Sequence, residues 1–237
     1  MAPETIVLLH GFTQTGRSWG PTIAALAERY RALAPDIRGH GSASDARPVD
    51  LASVQADVLA LAPERFTLAG YSMGGRIALS LALAAPERVA RLVLVGASPG
   101  IPDAEERRTR READEALAER IEREGIEAFA AHWSSLPLFA DQPLAVAAAA
   151  HAERLSQSPA GLVAALRGLG TGVMEPLWER LPQLAIPVVL IVGERDGKFR
   201  AIAERMADVL PEADVHVVPE AGHAVQLELP EAVAALL

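Results

Sequence analysis

Short apolar runs alternate with helix-length segments along this chain, and they do so on either side of a long stretch that carries no strand pattern. The runs TIVLL (5–9), YRALAPD (30–36), RFTLAG (65–70) and VARLVLVGAS (89–98) are separated by segments of helical period over 18–30, 50–63 and 72–86. Pro63 and Pro86 end two of those helices, because proline removes a backbone donor and clashes with the preceding turn. Strands joined through helices form crossovers rather than hairpins, so the pattern requires a mostly parallel sheet with helices on both faces, an α/β fold. From Pro102 to Pro182 only helices are expected: a charged one over 103–125 ended by Gly125, then 126–133, 142–158 and 160–170. Alternation resumes with IPVVLIVGERD (186–196), a helix over 199–210, ADVHVVPEAGH (213–223) and a last helix from about Val225. The expected division is a core of residues 1–101 and 183–237, with residues 102–182 inserted as an all-helical cap. Such a cap belongs over the carboxyl edge of the sheet, where open α/β sheets bind their ligands.

Composition narrows the function. With 237 residues, half of them hydrophobic, the chain buries a sizeable core, and disorder is excluded. A net charge of −9 argues against a nucleic-acid partner, although it leaves room for one local basic pocket. The absence of cysteine removes disulfides and thiolate metal sites. No apolar run reaches membrane-spanning length. The opening MAPETIVLLHGF runs into a strand without a basic region or cleavage site, so a cytoplasmic protein is expected. Oligomeric state is not legible.

The junction GYSMG (70–74) places Ser72 between a strand and a helix, as a nucleophile elbow requires. Its glycines permit a sharp turn, and the helix behind it offers free N–H groups and a positive dipole end to an oxyanion. In such sheets the serine is followed along the chain by an acid and then a histidine. Asp196 in VGERD and His223 in PEAGH each follow a late strand in that order, with Glu194 the nearest competitor for the acid. The histidine deprotonates the serine, and the acid orients the imidazole. After the first strand, His10 and Gly11 lead to Phe12, whose backbone N–H is the expected second oxyanion donor beside that of Met73. His40 reads as structural, and His132, His151 and His216 lack metal-ligand spacing. No dinucleotide-type glycine loop occurs. Neither a cofactor nor a metal is therefore expected. Arg76 lies one helical turn beyond Ser72, on the same face, and a guanidinium fork matches a carboxylate.

Taken together, HGF, DIRGHG, GYSMGG, GERD and AGH resemble the α/β-hydrolase superfamily, and the likeness covers essentially the whole chain. Within it, GYSMGGR, SPGIPDAEERRTRREAD, HWSSLPLFA and GERDGKFRA resemble the 2-succinyl-6-hydroxy-2,4-cyclohexadiene-1-carboxylate synthases, lyases of menaquinone biosynthesis. The resemblance implies elimination of pyruvate from a cyclohexene bearing an enolpyruvyl ether, a succinyl ketone and a ring carboxylate, a small multi-carboxylate substrate. It implies Ser72, Asp196 and His223 as a triad whose serine is a base, and Phe12 and Met73 as oxyanion donors. It further implies Arg76, Arg110 and Arg154 on substrate carboxylates, and Tyr71, Trp133 and Phe139 as pocket aromatics. Ser134 departs from the family, standing where an aromatic is frequent; Gly197 replaces a serine, and Ser98 a histidine. From the residues alone, a carboxylesterase or carbon–carbon bond hydrolase remains an alternative, with Ser72 as nucleophile or His223 activating water. A non-catalytic binding protein on the same frame is a third reading.

Overall fold

The computed structural model describes residues 3–26 and 29–237. Its centre is a six-stranded sheet, β1 (Glu4–Leu9), β2 (Tyr30–Leu33), β3 (Phe66–Tyr71), β4 (Val89–Val95), β5 (Val188–Gly193) and β6 (Ala213–Val218). Every pair is parallel, in the order β2-β1-β3-β4-β5-β6. The strand order therefore reverses between β1 and β3, and the crevice at their carboxyl ends is the natural ligand position.

Alternating side chains of β1 divide the core in two, because successive residues of a strand point to opposite faces. Val7 and Leu9 pack with Leu68, Ile77 and Leu190 on one face, while Ile6 and Leu8 pack with Trp19, Val93 and Ile191 on the other. The first face is covered by α2 (Leu51–Leu61), α3 (Met73–Ala84) and α7 (Gly197–Ala207), and the second by α1 (Gly20–Leu26), α8 (Val225–Glu228) and α9 (Pro230–Leu236). The helix expected over 18–30 is a 3-10 turn at Gly16–Trp19 followed by α1, and its residues 27 and 28 lie outside the described part. The single helix expected from Val225 is two, since Pro230 has no N–H to continue the first.

Between β4 and β5 run α4 (Ala104–Ser134), α5 (Leu144–Leu155) and α6 (Pro159–Leu169), and no strand. Asp103 caps α4 by accepting a hydrogen bond from the Glu106 N–H at 2.8 Å. Gly125 has φ 81° and ψ −177°, a non-helical backbone open to glycine, so α4 is two helices that meet at a kink there, at the residue where the sequence pattern ends the first of them. Ala118, Ile121 and Phe129 of α4 and Leu162, Val163 and Leu166 of α6 form a separate apolar cluster, and Phe12 and Trp133 pack against it.

These helices meet the loops at the carboxyl edge of the sheet. Glu153 of α5 accepts hydrogen bonds from the N–H and hydroxyl of Thr15, at 2.8 and 2.6 Å. Gln157 accepts one from the Gly41 N–H at 3.1 Å, and Phe12 stacks edge-on to Trp133 at 5.2 Å. Among the described residues, no helix is long and apolar enough to cross a membrane.

Candidate active site

Ser72 sits at the turn from β3 into α3 with φ 49° and ψ −107°, a conformation a side-chain-bearing residue adopts only when its surroundings enforce it. The enforcement is close backbone packing. A Cβ on Gly74 would lie 2.3 Å from the Leu9 carbonyl and 2.5 Å from that of His10, and one on Gly70 would lie 2.4 Å from the Gly74 carbonyl. Glycine at 74 therefore lets the start of α3 touch the loop leaving β1. That contact brings together the regions of the Met73 and Phe12 amides, and Met73, as first residue of its helix, has no intrahelical acceptor for its N–H.

The two late strands deliver the partners. Nε2 of His223 lies 3.3 Å from the Ser72 hydroxyl oxygen, and its Nδ1 lies 2.6 Å from Oδ2 of Asp196. Both His223 and Asp196 are buried, which strengthens the charged hydrogen bond between them. Asp196 is fixed twice, since its Oδ1 caps α7 by accepting from the Phe199 N–H at 3.2 Å. Glu194, the competing acid, instead accepts from the Glu220 N–H at 3.0 Å. Rings surround the imidazole: Phe199 at 4.4 Å, Tyr71 at 5.3 Å and Phe139 at 6.4 Å between centroids. Burial, reinforced by the charges of Glu228 and Asp196, pushes the Tyr71 phenol up, so it is protonated at neutral pH and can donate.

Glu228, which the sequence reading overlooked, grips the loop on both sides of His223. Its two carboxylate oxygens accept from the Gly222 N–H at 2.6 Å and the Ala224 N–H at 3.2 Å. A carboxylate five residues after a histidine is no motif, so only the fold reveals it.

The three arginines differ. Arg76 is partly buried and donates to the Leu169 carbonyl and the Met174 sulfur, both at 3.3 Å. Burial and the neighbouring Arg110 charge, opposed by Asp114, lower its pKa from 12.5 to about 10, so it remains cationic. Arg154 is 4% exposed, lies over the Phe139 ring at 5.1 Å and donates to the Ser134 hydroxyl at 2.9 Å. Its Nε is buried without a partner among the described residues. Arg110 is otherwise placed: its side chain is 42% exposed and its Nε donates to Asp114 at 2.8 Å, an i,i+4 pair on α4. Among the described residues, neither Arg76 nor Arg154 has a carboxylate within ion-pair distance, whereas Arg110 already has one. Trp133 is half-buried against Phe12 and Phe129 at 5.2 and 5.6 Å, where it joins the apolar cluster shared by α4 and α6.

His10 and His40 are buried and structural in their contacts. His10 accepts from the Ile37 N–H at 2.9 Å and hydrogen-bonds the Gly11 carbonyl at 2.8 Å through its other nitrogen, which fixes the loop that carries Phe12. A cavity of about 270 Å³ adjoins Asp196 and His223, with Gln142 and Lys198 on its wall. A roomier groove of about 830 Å³ runs between α5 and the loop after β1, past Thr15 and Glu153, and touches no member of the Ser72–His223–Asp196 set. Volume alone therefore does not locate the chemistry; the hydrogen-bonded set does. Among the described residues, no group of three or more acids and histidines is arranged to hold a metal ion.

The model of the family described as "Alpha/beta hydrolase family" matches residues 6–236. A Bacillus subtilis (strain 168) protein provisionally named 2-succinyl-6-hydroxy-2,4-cyclohexadiene-1-carboxylate synthase is 41% identical over 242 residues, covering 97% of this chain and 87% of that one. A protein of Klebsiella pneumoniae subsp. pneumoniae bearing that synthase name outright is 34% identical over 239 residues, with 98% and 91% covered. Among solved structures, that of MenH from S. aureus superposes with a TM-score of 0.93 at 32% identity, covering 98% of this chain and 91% of that one.

Proposed function

Because the chain belongs to the alpha/beta hydrolase family, and within it to the 2-succinyl-6-hydroxy-2,4-cyclohexadiene-1-carboxylate synthases, we propose that it is the lyase that releases pyruvate from 2-succinyl-5-enolpyruvyl-6-hydroxy-3-cyclohexene-1-carboxylate in menaquinone biosynthesis. The observation that carries the reading is the pair of guanidinium groups of Arg76, one helical turn beyond Ser72, and Arg154, over the Phe139 ring, which are buried or partly buried with no carboxylate at ion-pair distance among the described residues. A buried charge without a counter-ion is costly, and a substrate carboxylate removes that cost on binding. Neutral ester substrates supply no such partner.

The chemistry is a proton shift and an elimination, which needs no redox cofactor. Ser72 removes the ring proton next to the succinyl ketone as His223 takes the serine's own proton, with Asp196 holding the imidazole and stabilising its cation. Electrons from the broken C–H bond form a new ring double bond, the existing one shifts by one position, and the bond to the enolpyruvyl oxygen breaks. Ser72 is the alcohol again once it holds the ring proton; the departing enolate accepts the proton that His223 took and leaves as pyruvate, which returns His223 to its neutral form. The Phe12 and Met73 amides stabilise negative charge on the ketone oxygen while the proton is away. Arg76 and Arg154 bind the carboxylates, and Tyr71, Phe139 and Trp133 shape the pocket under a cap formed by residues 102–182. Arg110 joins them only by sharing its guanidinium between Asp114 and substrate. The protein works in the cytoplasm on a small anionic substrate.

Purified protein given the enolpyruvyl cyclohexene tests this reading. Rapid pyruvate formation, abolished in Ser72→Ala, is expected. No pyruvate, together with brisk cleavage of a nitrophenyl ester, would instead establish a carboxylesterase.

A further inference from the structure

Arg154 is the least exposed of the three arginines, and its orientation is set by two residues to which no role has been given. Ser134 is the last residue of α4, and His151 lies one turn before Arg154 on α5, on the same helix face. The guanidinium can only donate, so the Ser134 hydroxyl accepts from Arg154 Nη1 at 2.9 Å. The same hydroxyl lies 3.0 Å from Nδ1 of His151. With the imidazole proton on Nε2, the serine donates to Nδ1, and the Ser134 hydroxyl is used both as acceptor and as donor. If Nδ1 carried the proton, both neighbours would donate to the serine oxygen and its own proton would lack that acceptor. The chain ties α5 to the end of α4 and holds one end of the guanidinium plane. Nε is buried without a partner among the described residues, and the guanidinium carbon lies over the Phe139 ring, 5.1 Å from its centroid.

We propose that Ser134 and His151 are positioning residues for Arg154, holding its guanidinium in the orientation that receives a substrate carboxylate. This rests on the reading of Arg154 as a carboxylate-binding residue. A side chain with four rotatable bonds loses most when it must be ordered at the moment of binding; a preformed hydrogen bond removes part of that loss. The effect belongs to ground-state binding as much as to the transition state, so it appears in KM.

Steady-state pyruvate release by Ser134→Ala, Ser134→Thr, His151→Ala, His151→Asn and Arg154→Gln, and by Ser134→Ala combined with Arg154→Gln, tests the assignment. Ser134→Ala and His151→Ala raise KM about five- to tenfold with kcat within about twofold of the parent, the loss expected when one hydrogen bond of the chain is removed. Ser134→Thr keeps the hydroxyl, and His151→Asn keeps an acceptor at the Nδ1 position, so both stay within about threefold of the parent KM. Adding Ser134→Ala to Arg154→Gln changes KM by less than about twofold, because the residue it orients is gone. An unchanged KM in Ser134→Ala, or a full additional effect in the double variant, overturns the proposal while leaving the role of Arg154 intact. An unchanged KM in Arg154→Gln removes the carboxylate role itself, and the proposal with it.

Discussion

Replacing Arg76 by methionine separates the cost of a charge from its use. In the free protein the guanidinium has, among the described residues, a carbonyl and a thioether as partners. Its fall in pKa from 12.5 to about 10, caused first by burial and then by Arg110, corresponds to about 3 kcal/mol lost by the charged form. Partial exposure of the side chain brings this to about 1–2 kcal/mol. Methionine has similar length and no charge, so Arg76→Met recovers that amount and gives up about 1 kcal/mol for the Leu169 carbonyl that loses its donor. Stability is thus unchanged or higher by about 1 kcal/mol, worth up to about 4 °C in Tm for a chain of this size. Catalysis moves the other way. Removing one partner of a desolvated guanidinium–carboxylate pair costs about 3–5 kcal/mol, so kcat/KM for pyruvate release falls by at least about 100-fold. Thermal melts and pyruvate kinetics on the same preparation read both quantities. A variant that melts several degrees lower yet keeps its kcat/KM would refute the reasoning and make Arg76 a structural tether for Leu169.

Two further outcomes are expected. Glu228→Gln retains one acceptor for the two amides that flank His223, so the loop relaxes and kcat drops about 10- to 100-fold, since a small displacement of a general base is costly; an unchanged kcat would show that the loop holds without the clamp. Burial lowers the pKa of His10 to about 4 and, with the charge of His10 added, that of His40 to about 3. Both are neutral in the folded chain where the unfolded chain, near 6.5, already binds protons. Their stabilisation is therefore complete above pH 6.5 and lost as pH falls toward 4, by about 2 kcal/mol for each at pH 5. Urea midpoints that coincide at pH 7.5 and pH 5 would contradict this.

Why the sheet was legible from the residues and the arginines were only half legible follows from the range of each interaction. Strand and helix periods are local, and crossovers admit only a parallel sheet. Ser72, Asp196 and His223 each directly follow a strand, so topology carries them to one edge whatever the helices do. Arg110 shows the limit. Its spacing from Asp114 is equally that of a helix-surface pair and of two residues aimed at a ligand, and in the structure its Nε is on Asp114. Glu228 and the Ser134–His151 pair left no signal, because their partners are backbone amides or residues on another helix. Ser134 was visible only as a departure from its family, and its meaning required His151 to be placed beside it. The break at Gly125 was legible because glycine is the residue that adopts φ 81° there without strain, and two helices meet at it as the pattern required.

The central claim is that Ser72 takes a proton and is never acylated. The mass of the intact chain, quenched while pyruvate is accumulating, tests it most directly. An unmodified chain of 25.0 kDa throughout turnover is the predicted result. A covalent adduct on Ser72 that forms and decays at the rate of pyruvate release would contradict it.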